Sequence, residues 1–73
     1  MAEQIVEAPA PGKILRVFVE AGKPIAVGDR ICIMEALKME LPIVAPVGGT
    51  IRSLPISPGQ VLEAGDTLAV IEA

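Results

Sequence analysis

The chain has no histidine, tyrosine or tryptophan, and only one phenylalanine and one cysteine among its 73 residues. Without histidine, no imidazole can act as general base, activate a hydroxyl nucleophile or ligate a metal. Carboxylates, three lysines and a single thiol are what remain for chemistry. No catalytic group and no metal-ligand set emerges from them, so the chain reads as a carrier that other proteins act upon. Cys32 has no partner for an intramolecular disulfide, which favours a reducing, cytoplasmic setting.

Positive charge is scarce as well. Six Lys and Arg against nine Asp and Glu leave a formal charge of −3 and a pI near 4.7. A chain without a basic stripe cannot bind mainly by releasing counterions from phosphates, so nucleic acid is not an expected partner. Mean hydropathy is high, yet no apolar run approaches the roughly 20 residues of a membrane-spanning helix. The segment Met1 to Glu7 lacks the basic and apolar regions of a signal peptide, and direct membrane insertion is not expected.

What is present is a duplication. Residues 8–36 and 45–73 align without a gap at an offset of 37. Identical pairs are Ala8/Ala45, Pro9/Pro46, Gly12/Gly49, Ile14/Ile51, Gly22/Gly59, Gly28/Gly65, Asp29/Asp66, Glu35/Glu72 and Ala36/Ala73. Apolar positions match too, as in Val19/Ile56, Ile31/Leu68, Ile33/Val70 and Met34/Ile71. Each copy carries apolar surface that it cannot cover alone, and the two should bury it against each other in one domain spanning 1–73. The paired glycines mark positive φ or tight reversal, and the Asp after Gly28 and Gly65 can accept bonds from turn amides.

Short apolar runs bounded by these turns predict strands at 5–8, 14–20, 30–35, 39–45, 50–56 and 67–72. No helical stripe is sustained. Pro42 and Pro55 interrupt strand-like runs, which puts them at edges or bulges. The expected fold is all-β: a small flattened barrel or sandwich of two pseudo-two-fold related four-stranded halves.

Between the copies lies the hexapeptide Glu35-Ala36-Leu37-Lys38-Met39-Glu40. The strand spacing around it suits a tight hairpin with Lys38 at its apex and its amine in solvent. Cys32 aligns with Ala69 in an apolar strand and reads as a small buried filler, since reactive thiols sit in polar, partly exposed surroundings. Met34 reads as core. Lys13, Lys23, Arg16, Arg30 and Arg52 are scattered singly and read as solvated surface.

The segment Glu35-Ala36-Leu37-Lys38-Met39 resembles the attachment motif of biotinyl domains, whose usual form is Ala-Met-Lys-Met after a Glu, at the hairpin joining two homologous halves. Leu37 stands where methionine is usual; it keeps apolar bulk without the thioether. The likeness extends through Ala8-Pro9, the Gly22 and Gly28-Asp29 turns, Ala45-Pro46, Gly49, and the Gly59 and Gly65-Asp66 turns. The gap-free halves leave no room for the protruding thumb that some members of the family carry.

The resemblance implies covalent biotin on Lys38, attached by a biotin protein ligase. It further implies carboxyl transfer between a biotin carboxylase and a carboxyltransferase or decarboxylase. Leu37 and Met39 would serve ligase and partner recognition, with Glu35, Ala36 and Glu40 as the motif's flanks. Glu35 has an equally good structural reading as a strand end, because Glu72 occupies its place in the second copy. Two alternatives stay open: a lipoyl carrier, whose apex usually reads Asp-Lys-Ala, and an unmodified lipoyl-like adaptor, which generally has a long helical insertion at the seam. An autonomous enzyme fits least.

Overall fold

The computed structural model describes residues 2–73 and folds them into eight strands with no helix. In chain order they are β1 (Glu3–Glu7), β2 (Gly12–Val17), β3 (Pro24–Ile25), β4 (Arg30–Ala36), β5 (Met39–Val44), β6 (Gly49–Ser53), β7 (Val61–Leu62) and β8 (Thr67–Glu72). They form two antiparallel four-stranded sheets, ordered β1-β8-β6-β3 and β5-β4-β2-β7. The offset of 37 carries β1 onto β5, β2 onto β6, β3 onto β7 and β4 onto β8, so the two sheets have the same strand order under the internal symmetry. The arrangement is a sandwich of two sheets and not a closed barrel.

The halves do more than face each other. The first half's β3 pairs with the second half's β6, and the second half's β7 pairs with β2. Beside those short strands the backbone bonds come in symmetric pairs. The Gly22 amide donates to the Ile51 carbonyl at 2.7 Å and the Gly59 amide to the Ile14 carbonyl at 2.7 Å; the Gly28 amide donates to Ala45 at 2.8 Å and the Gly65 amide to Ala8 at 2.9 Å. Gly22, Gly28, Gly59 and Gly65 have φ between 87° and 89°, the left-handed region that favours glycine. Asp29 Oδ2 accepts from the Ala26 amide and Asp66 Oδ2 from the Glu63 amide, each at 2.9 Å, so both Gly-Asp turns are closed by their aspartates.

Apolar residues of β4 and β8, with Ile14 of β2 and Ile51 of β6, make up the core. Ile14, Ile31, Met34, Ile51, Leu68 and Ile71 are fully buried, with Cys32 and Ala69 between them. Each large aliphatic side chain so buried contributes roughly 1.5–3 kcal/mol. No charged or polar residue is buried among the described residues. Met34 and Cys32 are thus core, as expected from their partners Ile71 and Ala69.

The structure corrects several sequence expectations. Strand 5–8 begins earlier, at Glu3, because Glu3 to Val6 pair with Ala69 to Glu72. The strand expected at 14–20 runs from Gly12 to Val17, and that expected at 50–56 ends at Ser53. Pro55 lies beyond that strand: its symmetry mate Phe18 donates its amide to Ile31 at 3.0 Å, a bond proline cannot make. Pro42 does sit on an edge strand, β5, where a missing amide costs no ladder bond. Strands β3 and β7, two residues each, are absent from the sequence reading. Arg52 is not an isolated surface charge either, since it pairs with Glu3 at 2.9 Å and Glu72 at 3.0 Å.

Gly12 and Gly49 answer to a different need from the turn glycines. A Cβ on Gly12 would overlap the Glu35 carbonyl oxygen, and one on Gly49 the Glu72 carbonyl oxygen, whereas nothing lies within 4 Å of a Cβ on Gly22. Gly12→Ala is therefore expected to lower stability by about 1–3 kcal/mol through overpacking against backbone. Gly22→Ala should lose only the cost of positive φ, about 1 kcal/mol. Guanidinium unfolding of the two variants checks the order; a Gly12→Ala midpoint at or above that of Gly22→Ala contradicts the close approach.

Candidate functional site

Strands β4 and β5 pair from Arg30/Val44 to Ala36/Met39, leaving a loop of two residues, Leu37 and Lys38. A two-residue hairpin loop matches strand twist when both residues take positive φ, a turn usually built from Asn-Gly or Gly-Gly. Here φ is 54° at Leu37 and 63° at Lys38, with no glycine or asparagine to ease it. Left-handed backbone costs an L-residue about 1–2 kcal/mol. The two strands hold the turn in place: Ala36 is buried beneath it and pairs with Met39 across the hairpin. The structure thus places Lys38 at the apex of a reversal, exposed, between Leu37 at 87% and Met39 at 63% exposure.

Two large apolar side chains standing in water beside one lysine make a surface that a partner could grip at little conformational cost. The remaining motif residues divide. Ala36 is structural, while Glu35 and Glu40 face each other directly across β4 and β5 and are both exposed. Their symmetry mates Glu72 and Glu3 are also directly opposed, but Arg52 bridges that pair. At the position matching Arg52 the first copy has Leu15, and among the described residues no ion pair spans Glu35 and Glu40. Glu35 is therefore not a copy of Glu72 in its surroundings, a difference that alignment of the repeats alone does not reveal.

The turn also has a definite place in the whole. The domain is elongated, 36 × 19 × 18 Å. Ala45, at the open end of the β4–β5 hairpin, meets Gly28, and Gly48 there lies against Ile25 and Val27. Gly49 in turn contacts Glu72 and Ala73, and the Ala73 amide donates to the Ala2 carbonyl at 3.0 Å. Residues 2 and 73 thus meet at the pole opposite Lys38. The internal symmetry maps Ala36 and Met39 onto Ala73 and Ala2, so the Leu37-Lys38 turn fills the place where the other copy has the gap between chain ends.

Other chemistry is sparse. Among the described residues no three His, Cys, Asp or Glu gather as a metal could use, and no helix is long and apolar enough to cross a membrane. Burial pushes the Cys32 thiol up to about 11 from an ordinary 9.0, which leaves it an inert neutral group.

Residues 4–71 match the biotin/lipoyl family model described as "Biotin-requiring enzyme". The chain is 41% identical, over 97% of its length and 99% of the relative's, to "Biotinylated protein TB7.3 homolog" of Mycobacterium leprae. It is also 41% identical over 96% of its length to "Biotin carboxyl carrier protein" of Streptococcus mutans, of which it spans 54%. Among solved structures, it superposes with a TM-score of 0.88 and 26% identity on part of the urea carboxylase of Kluyveromyces lactis, covering 99% of this chain and 6% of that one. The chain thus spans about half of one curated relative, nearly all of another, and a small module of a large carboxylase.

Two outcomes follow from this geometry. Leu37→Gly relieves positive φ at an exposed position and is expected to stabilise the fold by about 0.5–1 kcal/mol, after allowing for glycine's greater freedom when unfolded; a lowered urea midpoint contradicts a strained turn. Because folding favours the neutral form of Cys32, its contribution to stability is complete below pH 9 and is lost as pH rises toward 11. Accordingly iodoacetamide at pH 8 should leave Cys32 unlabelled in the folded chain and label it fully in denaturant, as read by intact mass.

Proposed function

The chain belongs to the biotin/lipoyl attachment family, and from that membership we propose that it is a biotin carboxyl carrier whose loaded residue is Lys38. The observation that carries the reading is the apex position of Lys38 on a two-residue turn between paired strands, flanked by exposed Leu37 and Met39. The exposed lysine and the motif around it fit an amide-linked cofactor.

Lys38 acts as a nucleophile only toward an activated acyl group. In the ligase's site Nζ attacks the activated carboxyl carbon of biotin, its proton passes to the ligase, the activating group leaves, and a neutral amide remains. Leu37 and Met39 give the ligase an apolar grip on either side of that nitrogen, and Glu35 and Glu40 set a negative flank beneath it. Once attached, biotin supplies the ureido nitrogen that takes up and gives back a carboxyl group, at a biotin carboxylase and then at a carboxyltransferase or decarboxylase. The protein's own part is presentation. The turn fixes the root of the arm, and tethering raises its effective concentration at nearby sites into the millimolar range. In this reading the chain is no enzyme by itself, and it works in the cytoplasm beside the catalytic subunits or domains of a biotin-dependent carboxylase. A lipoyl carrier would use the same apex, but Met39 directly after the lysine favours biotin.

Lys38→Arg is expected to abolish biotin incorporation while leaving the fold unchanged, because the side chain lies outside the core. Intact-mass analysis and circular dichroism after co-expression with a biotin ligase check both parts. An unmodified wild-type chain, a lipoyl adduct, or biotin mapped to Lys13 or Lys23 refutes the reading.

A further inference from the structure

The outer face of the β5-β4-β2-β7 sheet carries a shallow groove of about 300 Å³ lined by Leu15, Arg16, Ile33 and Glu40. Leu15 sits at the bulge where the β2–β4 register shifts, Arg16 pairs with Ile33, and Ile33 pairs with Pro42 of β5. The groove therefore begins two residues from Lys38, at Glu40, and reaches to the row of Ile33, three strand positions below Met39, or about 10 Å. Its lining alternates in kind: two aliphatic side chains, one guanidinium and one carboxylate. Arg16 makes no ion pair among the described residues, and its guanidinium lies 6.0 Å from the Phe18 ring centroid.

The internal duplicate supplies a control. At the matching positions the other sheet has Arg52, Ser53, Val70 and Glu3, and there Arg52 lies across the face, bridging Glu3 and Glu72. On that face an arginine bridges two glutamates; on this one Leu15 stands in its place and no ion pair forms among the described residues. The unbridged face is the one below the lysine.

Resting on the carrier reading above, we propose that this groove is a docking subsite for the biotinyl head borne by Lys38 of the same chain. Biotin's bicyclic head matches the lining group by group. Its thiolane ring offers apolar surface to Leu15 and Ile33, its ureido carbonyl accepts from the Arg16 guanidinium, and a ureido N–H donates to the Glu40 carboxylate. The tether reaches: about eleven bonds separate the Lys38 Cα from the ring, roughly 13 Å when extended. A head seated there covers the ureido nitrogens, so the arm has a sheltered resting position on the sheet and must swing out to be served.

The test is nuclear magnetic resonance on the full chain, isotope-labelled and biotinylated by co-expression, with intact mass and peptide mapping taken first. Docking predicts nuclear Overhauser contacts from the unlabelled biotin ring to the Leu15 and Ile33 methyls, and amide shifts at Arg16 and Glu40 relative to the unmodified chain. Leu15→Arg, which copies the residue found at the same place in the other half, should fold normally, lay a guanidinium between Glu35 and Glu40, and lose those contacts with biotin still attached. If Lys38 carries no biotin, the carrier reading falls and the subsite with it. If biotin is on Lys38 but contacts and shifts stop at residues 36–39, or persist unchanged in Leu15→Arg, the subsite is overturned while the carrier reading stands.

Discussion

Each half of this chain completes the sheet of the other, and that exchange is the constraint on which the remaining structure depends. Neither copy holds its short strand beside its own longer ones: β3 crosses to β6 and β7 to β2. The exchanged segments are anchored by reciprocal backbone bonds, Gly22 to Ile51 and Gly59 to Ile14. In a chain of 73 residues, whose fold buries only about 60% of the surface of the unfolded chain, separate half-domains would have too little core to be stable. Interlocking makes one core from two, with Ile14, Ile31 and Met34 packed against Ile51, Leu68 and Ile71. Within the sheet that β7 completes, β5 pairs along its whole length with the central strand β4, and the turn at Lys38 joins those two.

Against this symmetric background, the departures from symmetry gather at the Leu37-Lys38 turn and on the face below it. One copy continues through Leu37 and Lys38 where the other has its chain ends. One copy has Leu15 where the other has Arg52. In the first case one pole carries the turn that exposes Lys38; in the second, the face below that turn has no bridging ion pair among the described residues. Cross-strand glutamates repel when directly opposed, and the second copy relieves this with Arg52. In the first copy Lys13 stands opposite Glu35 on β2, but no ion pair bridges Glu35 and Glu40 among the described residues, at the place where a partner or the arm itself would approach.

Much of this is legible in the residues, and the limits have physical causes. The hairpin at Lys38 can be read because strand-like runs on either side of Leu37-Lys38 leave no length for anything but a tight reversal. Cys32 and Met34 read as core because their mates Ala69 and Ile71 are apolar. The Gly-Asp turns read correctly because positive φ and a side chain that accepts turn amides are local properties. Strands β3 and β7 do not, since two residues cannot display a period of two. Nor does the strand exchange, because identical repeats look the same whether a strand pairs within its own copy or with the other. The bridging by Arg52 escapes for a related reason: which residues oppose across strands depends on the bulges at Leu15 and Arg52, and register is set by tertiary pairing.

The strained turn makes sense when presentation is the task. A Gly-rich loop would satisfy the two positive φ values without penalty, but it would also let the root of the arm wander and would offer no side chains to grip. Leu37 and Lys38 hold the same backbone at a cost of a few kcal/mol, which the paired strands and the buried Ala36 sustain. What results is a lysine whose backbone is set by the turn and whose freedom begins at its own side chain. Residues 2 and 73 meet at the far pole, so a covalent extension from either end would leave the molecule away from Lys38. The lysine pole is then free to enter another protein's site while the opposite pole is held.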